Sequence, residues 1–180
     1  MIVVAVAVVA IVLVAAGVFL AIRFAGTQER GAGSSGAAPD RPVELRMPLE
    51  FTQVADERPG RPCPSGFLPD GTADGCLLLQ SGGFQVARVD AIKSAPPEAS
   101  TTWGVEVTLT GDDAKAFARL TEKAAAEPAG TPGRRIAVVV GGEIVSAPVV
   151  MQPITDGEVL ISGDFTQTQV DGLIERITGG

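Results

Sequence analysis

The sequence predicts an α+β domain in which two helices pack on one face of an antiparallel-rich sheet, preceded by an N-terminal transmembrane helix. Three observations support this fold class. Residues 2–22 carry no charged or polar side chain. Several later segments alternate apolar and polar residues, and two others have apolar residues at helical spacing. From Trp103 onward the elements follow the order β-α-β-β-β-α, which is typical of a sheet with its helices on one face.

The apolar run of residues 2–22 is long enough to cross a bilayer as a helix. At 1.5 Å per residue such a helix spans about 31 Å, close to the hydrocarbon thickness. Lys or Arg normally precedes a membrane anchor, and none precedes Ile2, so we expect basic residues upstream in a longer reading frame. We predict an uncleaved anchor over residues 1–24 rather than a signal peptide, because no small-residue cleavage motif is visible.

A flexible linker is expected over residues 25–42, because Gly, Ser and Ala dominate this segment and cannot bury enough apolar area to order it. The folded domain then covers residues 43–180. Arg23 and Arg30 would by themselves favour a cytoplasmic domain. The N-terminal position of the membrane segment and the two cysteines in one short loop favour an extracytoplasmic domain in the cell envelope, and this is the location we predict.

The first half of the domain contains two predicted strands and a short apolar run between them. Val43–Val54 alternates apolar and polar residues but contains Pro48, which predicts an edge strand or a bulged strand. Residues 55–75 are rich in Pro, Gly and Asp and are expected to form a loop. A short apolar run over 77–79 and a strand over 84–92 follow.

The second half begins with the clearest strand, residues 103–110, whose valines share one face. A helix is expected from Gly111 to Ala126, with Thr110 or Asp112 as its cap. Its apolar stripe contains Phe117, Leu120 and Ala124.

The last elements are a hairpin, a strand and a helix. The strands over 136–140 and 143–149 are joined by Gly141-Gly142, a pair typical of a type I′ turn. Another strand is expected over 158–162. The residues Thr166-Gln-Thr-Gln169 form a capping box, which predicts a helix. Its apolar face contains Val170, Leu173, Ile174 and Ile177.

The composition argues against catalysis and against nucleic-acid binding. The chain has no histidine and no tyrosine, which removes the common catalytic triads and the most frequent metal ligand. We therefore predict no enzymatic activity, no cofactor and no metal. The net charge of −7 without a basic stripe disfavours nucleic-acid partners. Arg134 and Arg135 are expected to flank a strand in solvent.

Few side chains form candidate sites. A disulfide between Cys63 and Cys76 is expected if the domain is extracytoplasmic, and two free thiols are the alternative. The segment 70–74 lacks the oxygen spacing of a calcium loop and is expected to be a turn. The acidic pairs at 56–57, 112–113, and 156 with 158 are expected to serve local structure rather than catalysis. Trp103 is expected to lie in the core.

The ordered set of segments from Trp103 resembles the head subdomain of SecD, an accessory protein of the Sec translocon. The segment at 43–49 is similar to the strand that precedes this head. Ile154 and Gly157 add to the resemblance, which covers half to two-thirds of the chain. The segments that carry it are Val105–Thr110, Ala116–Thr121, Ile136–Val140, Gly142–Pro148 and Ile161–Thr166.

The resemblance implies a binding module rather than a motor. SecD proteins have six membrane spans and intramembrane acidic residues, whereas this chain has one apolar segment without an acid. The resemblance therefore implies a stand-alone, single-pass protein of actinobacterial type that binds secreted polypeptide or Sec translocon components. A sheet edge at Val149 and Val150 is expected to pair with an extended peptide. A structural or regulatory envelope module without a transport role is the alternative.

Overall fold

The computed structural model describes residues 41–97 and 102–180 of the chain. The predicted anchor over residues 1–24, and the predicted linker as far as residue 40, lie outside the described residues. Within the described ranges, no helix is long and apolar enough to cross a membrane. These ranges form eight strands and two α-helices. They are β1 (Val43–Pro59), β2 (Leu68–Pro69), β3 (Gly75–Leu79), β4 (Phe84–Ala95), β5 (Trp103–Leu109), α1 (Gly111–Ala126), β6 (Ile136–Val140), β7 (Glu143–Ser146), β8 (Glu158–Phe165) and α2 (Gln167–Thr178).

Strand β1 lies at the centre of an antiparallel sheet. One edge of β1 pairs with β4 and then with β3, and the other edge pairs with β6. Strands β5 and β8 continue the sheet beyond β4, and β7 continues it beyond β6, so the order is β7-β6-β1-β4-β5-β8. The hydroxyl of Ser146 in β7 donates a hydrogen bond of 2.5 Å to the carbonyl of Ser162 in β8. The sheet therefore curls until its two outermost strands meet.

Of the two alternatives predicted for Pro48, the structure shows the bulged strand, and β1 has partners on both edges from Leu49 onward. The register between β1 and β4 shifts between Glu44 and Leu49. Pairing with β6 begins at Leu49. Pro48 therefore lies in a gap of both ladders, where its missing N–H leaves no ladder hydrogen bond unmade.

Both helices pack on the same face of the sheet, as the apolar spacing predicts. Helix α1 buries Phe117 and Ala124, and the ring of Phe51 lies 5.0 Å from that of Phe117. Helix α2 follows the predicted capping box, in which the hydroxyl of Thr166 accepts from the N–H of Gln169. The helix buries Val170, Leu173 and Ile177 in the same core.

The predicted hairpin between β6 and β7 is present. Gly141 and Gly142 have φ angles of 60° and 85°, the positive values that a type I′ turn requires at both centres. Strand β7 ends at Ser146 rather than at residue 149, because Pro148 lacks the N–H that a continuing ladder would use. Val149 still pairs with Arg135 as an isolated antiparallel bridge.

The loop between β1 and β3 is closed by the predicted disulfide. Cys63 and Cys76 are bonded, and their Cα atoms are 5.4 Å apart. The segment is more regular than the sequence predicts, because β1 extends to Pro59 and β2 lies within the loop. A second, smaller core joins β1 and β3 to the hairpin on the sheet face opposite the helices. Its buried residues are Val54, Leu77, Ala137, Val139, Ile144 and Ala147.

Arg135 connects the disulfide loop to the hairpin. Arg134 and Arg135 flank β6 as predicted, but the prediction that they face solvent is wrong. The guanidinium of Arg135 lies 2.6 Å from the carboxylate of Asp70, which is only 1% exposed. It also pairs with Glu57 at 2.9 Å, and its Nε donates to the carbonyl of Ala147. Arg134 instead donates to two backbone carbonyls at the C-terminal end of α1.

Asp70 remains ionised in this buried position because its oxygens are well bonded. Burial acts to raise the pKa of Asp70, but the N–H and hydroxyl of Thr72, together with the guanidinium of Arg135, lower it below its usual value. The bonds from Thr72 also form the turn predicted for residues 70–74. The ion pair therefore links two segments that lie far apart in the sequence.

Candidate functional site

A groove of about 880 Å³ lies where the sheet curls back on itself. Strands β5 and β8 form one wall, which includes Gly104, Leu160 and Ser162. The opposite wall is formed by β6 and by residues 148–152, the segment that follows β7. Phe117 of α1 also contributes to the lining, so the groove reaches the main hydrophobic core.

The large apolar side chains that remain exposed in the described part of the chain all line the groove. The large hydrophobic residues that remain exposed there are Val149 at 54%, Met151 at 74% and Leu160 at 57%. All three line this groove. Apolar side chains that gather in a groove while facing water are typical of a binding site.

Strand β8 presents an unpaired backbone edge to the groove. Among the described strands, β8 pairs with β5 alone. In an antiparallel ladder, the backbone groups of successive residues point alternately toward the partner strand and away from it. The carbonyl of Gly157 accepts from Leu109 on the β5 side, whereas the carbonyl of Ser162 points the other way, to Ser146. The N–H and C=O of Leu160 therefore point away from β5.

The opposite wall has a second free edge at Val149. Its pairing with Arg135 uses the carbonyl of Pro148 and the N–H of Val150. In such a pair, the N–H and C=O of Val149 itself point away from β6. Val150 differs, because its N–H is bonded to Arg134 and its side chain is 6% exposed. Of the two predicted edge residues, Val149 carries free backbone groups and Val150 anchors the segment.

Comparison with known proteins identifies the family. The family model described as "SecDF, P1 head subdomain" matches residues 72–180. The chain belongs to the SecDF P1 head family. The resemblance found in the segments after Trp103 is thereby confirmed.

Curated SecD proteins agree with this assignment. The protein translocase subunit SecD of Desulfurispirillum indicum is 36% identical over 155 residues, which cover 74% of this chain and 28% of that protein. SecD of Streptomyces coelicolor is 27% identical over 152 residues, covering 78% of this chain and 26% of that protein. The chain thus spans about a quarter of the length of these two relatives.

Solved structures of SecDF share the fold of this head. A structure of SecDF, a membrane component that enhances protein export, matches with a TM-score of 0.50 at 19% identity and covers 74% of this chain and 63% of that one. A crystal structure of SecDF in its super-membrane-facing form matches with a TM-score of 0.51 at the same identity, covering 74% of this chain and 19% of that one. The curled antiparallel sheet with two helices is therefore a SecDF head-like architecture.

Trp103 contributes an aromatic side chain to the groove of this SecDF head. It was expected in the core, and it does pack against the core as a partly buried residue at the start of β5. Trp103 also lines the groove. An aromatic side chain in this position adds a contact surface for apolar and cationic groups of a ligand.

Several acids of the pairs considered from the sequence make local contacts, whereas Glu57 pairs with the distant Arg135. Asp112 in the first turn of α1 pairs with Lys115, and Asp56 pairs with Arg58. Asp156 accepts from the N–H of Glu158 at the start of β8. Within residues 41–97 and 102–180, no group of three or more His, Cys, Asp or Glu side chains is placed to hold a metal ion.

The sequence analysis missed the most informative residue of the site, Leu160. Residues Val159 and Ile161 face the core, so alternation places Leu160 on the opposite face. An apolar residue at an outward position of a strand was the available signal. The sequence of β8 alone does not predict that residues 148–152 lie across the groove from it.

Proposed function

We propose that this SecDF head binds extended segments of secreted polypeptide outside the cytoplasm and thereby assists protein export. In this proposal residues 1–24 anchor the chain to the membrane in a single pass, and the head works as a stand-alone module. The family supports the connection with export, because the curated relatives are protein translocase subunits. SecDF itself is a membrane component that enhances protein export.

The observation that carries the proposal is the free strand edge at Leu160. A polypeptide added beside β8 would bond to the N–H and C=O of Leu160 through its own backbone. Main-chain pairing of this kind depends little on side-chain identity. It therefore suits a protein that meets many different secreted sequences.

The apolar walls explain why the groove would take unfolded segments rather than folded proteins. Folded proteins bury most of their large apolar side chains, whereas an extended segment exposes them at every second position. Val149, Met151 and Leu160 line the groove beside the free edge. The groove thus combines backbone pairing with apolar contacts to a single guest strand.

Replacing Leu160 by Pro should weaken the binding of an extended peptide about tenfold relative to Leu160→Ala. One backbone hydrogen bond contributes about 1 kcal/mol, and the proline ring also obstructs the guest backbone. Both variants lose the leucine side chain, but only proline removes the outward N–H. The pairing with β5 should survive, because proline is tolerated at strand edges where the N–H faces outward.

The measurement is the Kd of a fluorescently labelled, unfolded apolar peptide for the full chain in detergent micelles, read by anisotropy. Thermal unfolding of both variants establishes that they are folded. Equal Kd values for Leu160→Ala and Leu160→Pro would rule out backbone pairing between the peptide and β8. A wild-type chain that binds no better than empty micelles would refute polypeptide binding and favour a structural or regulatory envelope module.

A further inference from the structure

We infer that the groove selects extended polypeptide segments that carry a Lys or Arg two positions away from an apolar side chain. This inference rests on the proposed polypeptide binding and specifies its ligand class. It is based on the distribution of charge around the free edge of β8.

The charged side chains that line the groove are all acidic. They are Glu106 of β5, Asp156 of the preceding loop and Glu158 of β8. Among the described residues, no Lys or Arg contributes to the lining. A guest segment therefore meets apolar walls and carboxylates but no lining cation.

Lys93 and the two arginines that precede β6 already have ion-pair or hydrogen-bond partners of their own. Lys93 of β4 lies 2.8 Å from Glu106 and also interacts electrostatically with Glu158, so a single lysine faces the three carboxylates. Arg134 is bonded to carbonyls of α1, and Arg135 is bonded to Asp70 and Glu57. The groove thus keeps a surplus of negative charge that a cationic guest would neutralise.

The register of β8 places this charge beside the apolar contact. Glu106 is the cross-strand partner of Leu160, and Glu158 lies two residues before Leu160 on the same face of β8. A guest residue opposite Leu160 would contact its side chain, and the guest residue two positions along would lie opposite Glu158, about 5 Å away between Cβ atoms. Trp103 offers a further face for a cationic side chain.

Three peptides that differ at one position test this selectivity. They share an apolar residue and carry Lys, Gln or Glu two positions away. With the full chain in micelles at low salt, the Lys peptide should bind about tenfold more tightly than the Glu peptide, with the Gln peptide between them. The difference should shrink at about 0.5 M salt, because the Debye length then falls well below 10 Å.

Two triple variants, each of which neutralises three carboxylates, test whether the groove carboxylates cause the preference for Lys. The groove variant carries Glu106→Gln, Asp156→Asn and Glu158→Gln, and the control variant carries Glu44→Gln, Asp90→Asn and Glu122→Gln at exposed sites outside the groove lining. The preference for Lys should disappear or reverse in the groove variant, where Lys93 loses its carboxylate partner Glu106, and it should persist in the control variant.

The outcomes separate this inference from the proposed function. Tight binding of all three peptides with equal Kd values would overturn the charge selectivity while leaving polypeptide binding intact. A preference for Lys that both triple variants retain would also overturn it, since the charge would then act from elsewhere. Failure of all three peptides to bind would refute the proposed function itself.

Discussion

Replacing Gly71 by Ala should lower the free energy of unfolding of the head by about 3 kcal/mol, at the upper end of the usual range for overpacking. A Cβ atom at this position would lie 2.0 Å from the carbonyl oxygen of Ile144 in β7 and 3.0 Å from that of Val145. Both obstacles are backbone atoms, so no side chain can rotate away. The loop must shift, and it carries Asp70 away from Arg135.

Urea unfolding under non-reducing conditions measures this loss. Gly172→Ala in α2 is the matched control, because a Cβ there meets nothing within 4 Å. That control should raise stability by about 0.5–1 kcal/mol, since alanine favours a helix more than glycine does. A Gly71→Ala protein as stable as the wild type would show that the disulfide loop does not dock on β7 as described.

Replacing Arg135 by Met should cost about 3 kcal/mol at neutral pH, because it leaves the buried carboxylate of Asp70 without its charged partner. The exposed arginine Arg58, which pairs with Asp56 at the surface, provides the control. Arg58→Met should change stability by at most about 0.5 kcal/mol. Adding Asp70→Asn to Arg135→Met should restore part of the loss, because the unpaired charge is then removed.

Measuring the free energy of unfolding as a function of pH provides a second test of this prediction. The pKa of Asp70 is below its usual value in the folded state. In the wild type its contribution is therefore present above the unfolded pKa of about 3.9 and is lost as the pH falls through the folded pKa. In Arg135→Met, burial without the guanidinium favours the protonated form of Asp70. The loss of unfolding free energy relative to the wild type should therefore shrink toward low pH. A deficit that is constant from pH 7 to pH 3 would contradict this account.

The sequence predicted the regular elements well because local signals specify them. The Gly141-Gly142 pair requires positive φ angles, and the box from Thr166 to Gln169 satisfies its own helix N-terminus. Both signals operate within four residues. The ends of strands were predicted less well, because tertiary pairing extends β1 to Pro59, beyond the predicted end at Val54.

The buried ion pair and the groove could not be predicted in the same way because their parts meet only in the folded chain. Asp70 and Arg135 are 65 positions apart, and neither shows in its local sequence that it will be buried with the other. Val149 was a candidate from the sequence, but the groove also needs Leu160 on β8. The two edges face each other because the sheet curls, which sequence periodicity does not report.

Photo-crosslinking in membranes tests most directly whether the groove holds a secreted polypeptide. A photo-crosslinking amino acid replaces Met151, which is 74% exposed in the groove and leaves the edge of β8 intact. Thr168, exposed on α2 and absent from the groove lining, is the control position. With a secreted protein arrested during export, illumination should yield an adduct from position 151 and none from position 168. No adduct from position 151, or equal adducts from both positions, would contradict the account.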